Sequence, residues 1–302
     1  MRQIKHFPFT HILGWSATRY DLFSVCKRKY FFHYYAKYDL EIQVRQLTRF
    51  KELVTLPLEM GGIVHQVIEA LLNRLKTTTQ DIDRPRFHAY ADNLIAQSLE
   101  QKPFEEVVYG EASQIDPSDL APKIHACLDN LLASPRFAWL VEEAVATAPE
   151  WIIDPPGYGE TRLQDLKVYC KVDFLFPLGD ELHIVDWKTG KTDPAKHRKQ
   201  LLGYATWAAY HFEVDPALIQ PTIAYLHPEY AEVQEDFTAV DLENFAVQVR
   251  AETEEMYEYC RDVGQNIPLD KPAFPRVDDE RICGYCAYRG VCFPDRYPAK
   301  LD

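Results

Sequence analysis

No apolar run in the 302-residue chain approaches the roughly 18 residues that a membrane span needs. The first fifteen residues carry basic side chains but no sustained apolar stretch and no small-residue cleavage site, so no secretion signal is expected and the expected location is cytoplasmic. No internal repeat and no low-complexity tract is visible. Basic charge is also scarce: 33 Lys and Arg stand against 46 Asp and Glu, a net charge of −13. That balance argues against a general nucleic-acid coat protein, because phosphate binding leaves a basic footprint, but it allows a local basic groove on an acidic body. The cysteines number seven, an odd count in a long chain without a secretion signal, which argues against a disulfide framework. Metal binding, catalysis and core packing remain open to them.

What is present is globular. Hydrophobic residues make up 47% and charged residues 26%, which argues against long disorder. Ser16 and Thr18 open a segment predicted as one helix through residue 38, with Tyr20, Phe23, Tyr30, Phe31 and Tyr34 on an apolar face. After Gly61 and Gly62, the spacing of Ile63, Val67, Leu71 and Leu75 predicts a helix over 63–75. Residues 81–147 are helix-like, with breaks expected near Pro103, Pro117, Pro122 and Pro135. The texture then changes. Short strands are predicted at 151–153, 166–176, 181–187 and 221–226, and helices at 194–212 and 241–263. Residues 264–302 show no clear period. This order suggests an α/β protein in which a small mixed sheet is flanked by helices and preceded by a large helical region. The division expected is a mainly helical region 1–147, a catalytic core 148–263, and a C-terminal segment 264–302 packing back on the N-terminal helix.

The most informative stretch is Asp173, followed by Asp186-Trp187-Lys188. Residues two apart on a strand share a face, so Asp186 and Lys188 project together. If the strand carrying Asp173 pairs with theirs, two carboxylates and an ammonium converge. Converging carboxylates resist ionisation unless a cation sits between them, and hard oxygen ligands suit Mg²⁺ or Mn²⁺. A lysine at such a site can orient water and offset charge on a five-coordinate phosphate transition state. An isolated Asp-x-Lys is more often a solvated hairpin. Two features raise its weight here. Gln200 and Tyr204 lie one turn apart on one face of the following helix. Lys188, Lys191, Lys196, Arg198 and Lys199 make a basic strip with Asp193 as the one acid among them. His65, taken alone, reads as a packing or surface residue.

Cys283, Cys286 and Cys292 form a C-x2-C-x5-C cluster, three thiolates where a tetrahedral or cuboidal site wants four. Cys127, Cys170 and Cys260 read as small buried hydrophobes. Cys26 precedes Lys27-Arg28-Lys29, a setting that favours thiolate. Spacing alone does not assign it as the fourth ligand.

Together these residues resemble the RecB/AddB-like branch of the PD-(D/E)XK nuclease superfamily, and in particular its iron–sulfur exonucleases, including CRISPR-associated ones. The resemblance covers about residues 16–75 and 148–292. It implies a restriction-endonuclease-like sheet and a 4Fe–4S cluster clasped by Cys26, Cys283, Cys286 and Cys292. The Gly-x-x-His motif falls on Gly62 to His65 and implies His65 as a metal ligand beside Asp173 and Asp186, joined by the carbonyl of Trp187. The Q-x3-Y motif falls on Gln200 and Tyr204, which support the site and the DNA strand, and Lys188 is the catalytic lysine. An additional upstream acid falls on Glu150, with Asp154 as the neighbouring candidate. Two departures touch no ligand: Cys170 stands where the family has a small residue, and Lys27 where a proline often follows the first cysteine. The activity implied is a Mg²⁺- or Mn²⁺-dependent DNA exonuclease preferring single-stranded ends, with a helicase or CRISPR adaptation proteins as partners. Two rivals remain at this level: a DNA-end-binding or assembly subunit with a vestigial or partner-activated site, and a zinc protein with four cysteine ligands.

Overall fold

The computed structural model describes residues 4–155 and 159–301. In chain order its helices are α1 (Ala17–Val25), α2 (Lys27–Tyr35), α3 (Val44–Lys51), α4 (Leu56–Leu75), α5 (Arg84–Gln101), α6 (Glu105–Val108), α7 (Pro117–Leu132), α8 (Pro135–Glu142), α9 (Pro194–Phe212), α10 (Ala239–Tyr257), α11 (Glu280–Cys283) and α12 (Arg289–Cys292). Its strands are β1 (Ile152–Ile153), β2 (Glu160–Leu163), β3 (Leu166–Tyr169), β4 (Phe174–Leu178), β5 (Glu181–Lys188), β6 (Ile219–Tyr225), β7 (Ala231–Gln234), β8 (Cys260–Asp262) and β9 (Ile267–Pro268). The chain divides into two compact units. One contains residues 1–7, 57–98 and 117–248; the other contains 8–56, 99–116 and 249–302.

The first unit holds a five-stranded mixed sheet in the order β1-β4-β5-β6-β7. Strands β4 and β5 form an antiparallel hairpin, β5 and β6 run parallel, and β1 and β7 pair antiparallel at the two edges. The parallel pair needs a crossover, which α9 supplies. Asp193 caps α9 by accepting from the Lys196 N–H, and Pro194 takes the first turn, where a missing N–H costs nothing. Leu201, Tyr204, Ala205 and Ala208 of α9 pack on Leu182, Ile184, Ile219 and Ile223 of the central strands. Burial of such side chains stabilises the layer by about 1.5–3 kcal/mol each. Helix α4 buries Ile63, Val64, Val67, Ile68, Leu71 and Leu72, two adjacent rows at helical spacing.

Several sequence expectations change. The run 166–176 is two strands, not one. β3 pairs with β2 in a separate hairpin, and β4 belongs to the main sheet. The β2–β3 turn is Gln164-Asp165, both with positive φ, a primed hairpin turn without the usual Asn-Gly signal. Gly159, at φ +56°, lies under Cys170, whose carbonyl a Cβ would meet at 1.8 Å, and its own carbonyl accepts from Trp207 Nε1 at 2.8 Å. Pro122 does not break its helix; it sits early in α7, which continues for ten residues beyond it. The predicted helix over 241–263 stops at Tyr257, where the backbone passes into the β8–β9 pair. The residues of the edge strand β7 are exposed, which leaves it without an apolar signature.

In the second unit the predicted helix through residue 38 is interrupted at Cys26. Its backbone is extended, at φ −158° and ψ 112°, and its sulfur accepts from the Lys29 N–H as the cap of α2. The aromatic face of α2 packs on the C-terminal part of the unit: Phe31 lies 5.0 Å from Phe274, and Phe23 of α1 lies 5.1 Å from Tyr259. Arg28 fastens the contact, donating to the carbonyls of Phe274 at 2.9 Å and Lys271 at 3.3 Å.

Candidate active site

The register of the β4–β5 hairpin pairs Phe174 with Val185. Continued by one residue, that register brings Asp173 beside Asp186, the pairing on which their convergence was conditional. Asp173 Oδ2 accepts from the backbone N–H of Trp187 at 3.0 Å. His65, on α4, donates from Nε2 to the Trp187 carbonyl at 2.8 Å, and its Nδ1 stands 3.5 Å from Asp173 Oδ2. The Gly62 that matches the motif has open space where a Cβ would be. Gly61 is the residue that lies close to the chain after β5, with Thr189 Oγ1 3.4 Å from its would-be Cβ.

Asp186 is 2% exposed. Its Oδ1 accepts from Gln200 Nε2 at 2.9 Å and from the Tyr204 hydroxyl, and Gln200 Nε2 also reaches Tyr204 Oη at 2.6 Å. The other oxygen, Oδ2, is buried and accepts no aligned hydrogen bond, although Lys188 Nζ stands 2.5 Å away as an ion pair. The six residues His65, Asp173, Asp186, Lys188, Gln200 and Tyr204 are thus brought together within the first unit.

The electrostatics follow from burial and charge. Burial, and then the Asp173 carboxylate, push the Asp186 carboxyl up to about 6, against the pull of Lys188 and Tyr204. At Asp173 burial also works upward, but His65 outweighs it and holds that carboxyl below its ordinary value. At His65 burial works downward, and Asp173 outweighs it, so the imidazole is held cationic above its ordinary range. Burial, and then Asp186, raise the Tyr204 hydroxyl well above its ordinary value, which keeps it a donor.

As the side chains stand, no group of three or more His, Cys, Asp or Glu among the described residues is set to hold a single metal ion. The acid oxygens are met instead by His65 and Lys188. The donor set still fits a hard cation: two carboxylates, a peptide carbonyl and a histidine converge, and one Asp186 oxygen is left to the Lys188 ammonium, which a cation could displace.

Other expected residues lie elsewhere. Glu150 ends a 3-10 helix one residue before Trp151, whose carbonyl accepts from Lys76. Asp154 donates its N–H to the Asp173 carbonyl at 2.9 Å, but its carboxylate pairs with Lys171 at 2.6 Å. The basic strip is thinner than its sequence: Arg198 pairs with Glu235 at 2.8 Å and Lys188 with Asp186. Sequence reading passed over His197 and Tyr225. Tyr225 pairs with Lys188 in the β5–β6 register, and its hydroxyl meets Nδ1 of the buried His197. The signal was available, since residues 197, 201 and 204 follow one face of α9.

In the second unit, Cys26, Cys283, Cys286 and Cys292 line one cavity of about 280 Å³, together with Lys29 and Arg276. Cys283 and Cys292 end the short helices α11 and α12. Arg276 donates to the Cys292 carbonyl at 2.9 Å. Arg289 pairs with Glu105 at 2.9 Å and lies over the Tyr109 ring, 3.5 Å from its centroid. Burial, then the neighbouring thiols Cys286 and Cys26, push Cys292 up to about 12. Burial raises Cys286 too, opposed by Lys29. A shared cationic group would reverse this by stabilising the thiolates. Of the three cysteines expected in the core, Cys127 is buried, while Cys170 and Cys260 are half-buried.

No curated protein matches the chain. Among solved structures, one described as the crystal structure of SSO0001 is similar at 16% identity over 65% of this chain and 80% of that one, with a TM-score of 0.31, a likeness too loose to carry an argument. The family comparison is of another kind. A model of the PD-(D/E)XK nuclease superfamily matches residues 14–293, a span that takes in the converging acids, the lysine and both groups of cysteines. The chain belongs to the PD-(D/E)XK nuclease superfamily.

Proposed function

We propose that this superfamily member is a Mg²⁺- or Mn²⁺-dependent DNA exonuclease that works from single-stranded ends, and that Cys26, Cys283, Cys286 and Cys292 hold a 4Fe–4S cluster. The observation that carries the reading is the convergence of Asp173, Asp186, His65 and Lys188 at the β4–β5 hairpin, with Asp186 Oδ1 occupied by Gln200 and Tyr204. His65, Asp173 and Asp186 would hold the metal, with the Trp187 carbonyl beside them. Such an ion, when bound, polarises the phosphoryl oxygen and lowers the pKa of a coordinated water. The chain's own residues do the rest. Gln200 and Tyr204 saturate one Asp186 oxygen and so fix the direction of the other. Lys188 positions the attacking water and offsets the charge that develops on the five-coordinate phosphorus. Glu150 is carried, on the resemblance alone, as the additional upstream acid.

The preference for single-stranded ends, and a helicase or CRISPR adaptation partner, rest on the resemblance. The cluster rests on that resemblance and on the shared cavity. Its role would be structural, tying Cys26 to a segment 257 positions later, because 283 − 26 = 257.

The test uses anaerobically purified protein. It should be brown, contain iron and sulfide, and shorten end-labelled single-stranded DNA with Mn²⁺ or Mg²⁺ while leaving circular single strands intact. Lys188→Ala should abolish cleavage and keep the colour. Undiminished cleavage by Lys188→Ala would refute the mechanism, and stoichiometric zinc without sulfide would refute the cluster.

A further inference from the structure

The second unit carries a cavity of about 730 Å³ between α3 and the chain that follows α12. Arg45, Gln46 and Arg49 of α3 line one side, and Pro294, Pro298 and Leu301 line the other. Arg45 and Arg49 lie about 6 Å apart along the helix axis on one face. Among the described residues, neither takes a hydrogen-bond or ion-pair partner. That is unusual in this unit. Arg28, Arg261, Arg289 and Arg296 are each engaged by a carbonyl or a carboxylate. No described residue lining the groove is acidic, and α3 contains no acid, in a chain of net charge −13.

We propose that this groove is a binding site for a single strand of nucleic acid, with Arg45 and Arg49 on successive phosphates and the proline-rich wall against sugars and bases. Free guanidiniums give bidentate contacts to phosphate oxygens, and Gln46 adds neutral donors beside them. An apolar wall opposite a cationic one matches the two sides of an unpaired strand, whose bases seek apolar contact while its phosphates seek charge. The proposal rests on the nuclease reading, since it supplies that enzyme's substrate with a second point of attachment. The two can fail separately.

The experiment measures fluorescence anisotropy of a fluorescein-labelled oligo-dT with the full chain in the Lys188→Ala background, which leaves the probe intact. Adding Arg45→Glu and Arg49→Glu should weaken binding at least tenfold. It should also flatten the plot of log affinity against log salt by roughly 1.4, the value for two lost phosphate contacts on a single strand. Lys37→Glu with Arg261→Glu makes the same charge change at exposed positions outside the groove. That control should shift affinity less than twofold. An equal loss in both pairs would mean only general charge acts, and would overturn the site. So would an unchanged salt slope in the groove variant, or competition by polyglutamate as strong as by unlabelled oligo-dT. Thermal melting of each variant checks that the fold is kept; if the charge reversals unfold it, Arg45→Gln with Arg49→Gln should show the same slope change. Manganese-dependent hydrolysis of bis(p-nitrophenyl) phosphate by the unmodified chain reports on the nuclease site alone. Hydrolysis with no groove effect leaves the nuclease reading standing and ends this one.

Discussion

The two units place their chemistry by opposite means. In the sheet unit, strand register does the work. Asp173 and Asp186 face one another because Phe174 pairs with Val185, and each acid has hydrogen-bond donors from its own surroundings. In the cysteine unit, the four thiols meet on irregular backbone and on helices of four residues. Their contacts are to nearby backbone: Cys26 Sγ accepts from the Lys29 N–H at 3.5 Å, and Cys283 Sγ donates to the Val277 carbonyl at 3.4 Å. A site built on register is organised before its ion arrives. A site built on converging loops leans on what it binds. The sheet unit should therefore keep its shape without an ion, whereas the cysteine unit, if it holds the proposed cluster, should depend on that cluster for its shape.

That contrast can be broken by experiment. The largest effect expected is catalytic. Lys188→Ala should reduce cleavage by at least about 10³-fold, the scale for removing a group that stabilises transition-state charge, with the melting temperature almost unchanged. Next comes stability. If the cysteines hold the proposed cluster, Cys26→Ala or Cys292→Ala should lower the melting temperature by more than about 10 °C and bleach the visible absorption, because a structural metal centre contributes its binding energy to folding. If Lys188→Ala melted as early as Cys26→Ala, the contrast would be lost.

A smaller effect tests the cost of a preorganised acid. Asp186 is buried with its carboxyl pushed up to about 6, so its ionised form is disfavoured in the folded state. The sign follows: in metal-free protein, stability should fall as pH rises from about 4, where the unfolded acid ionises, through about 6. Asp186→Asn should remove that slope and raise the melting temperature at pH 7.5 while abolishing cleavage, a trade of stability for function. Melting curves of both forms across pH 4–8 check it, and a variant less stable than the parent at pH 7.5 would count against the assignment. Half-saturation by Mg²⁺ should correspondingly require more metal below about pH 6, because a protonated carboxyl is a poor ligand.

The smallest expected effect is at the supports. Tyr204→Phe should cut cleavage by about tenfold, with Gln200 Nε2 still holding Asp186 Oδ1. The double change Gln200→Ala with Tyr204→Phe should cost more than the two single costs multiplied, since each donor covers for the other. Product formation on a labelled single strand measures both.

Much of the sheet unit was legible because its signals are local. Asp193-Pro194 announced the start of α9, and the short apolar run after residue 180 announced β5. The error at 166–176 came from reading alternation as one strand. Alternation continues across two strands, and the break at 170–173 shows only in the pairing. Gln200 and Tyr204 were visible as a pair on one helical face, and His197 could have been read on the face it shares with Leu201 and Tyr204, whereas its contact with Tyr225 crosses from α9 to β6 and shows only in the tertiary structure. The groove beside α3 was out of reach for the same reason. Arg45 and Arg49 look like any solvated basic pair until the segment after residue 293 is laid opposite them.

The sequence by itself determined the residue types and their spacing: two acids and a lysine at strand intervals, a glutamine and tyrosine one turn apart, and three cysteines within ten positions. Those are short-range facts, set by the periods of helix and strand. Only the tertiary structure decided which acid is buried and raised, which basic residues are already paired, and that Cys26 faces the same cavity as the last three cysteines. Charge and burial depend on what surrounds a group in space, and for Asp186, Arg198 and Cys26 the deciding neighbours come from other elements of the chain.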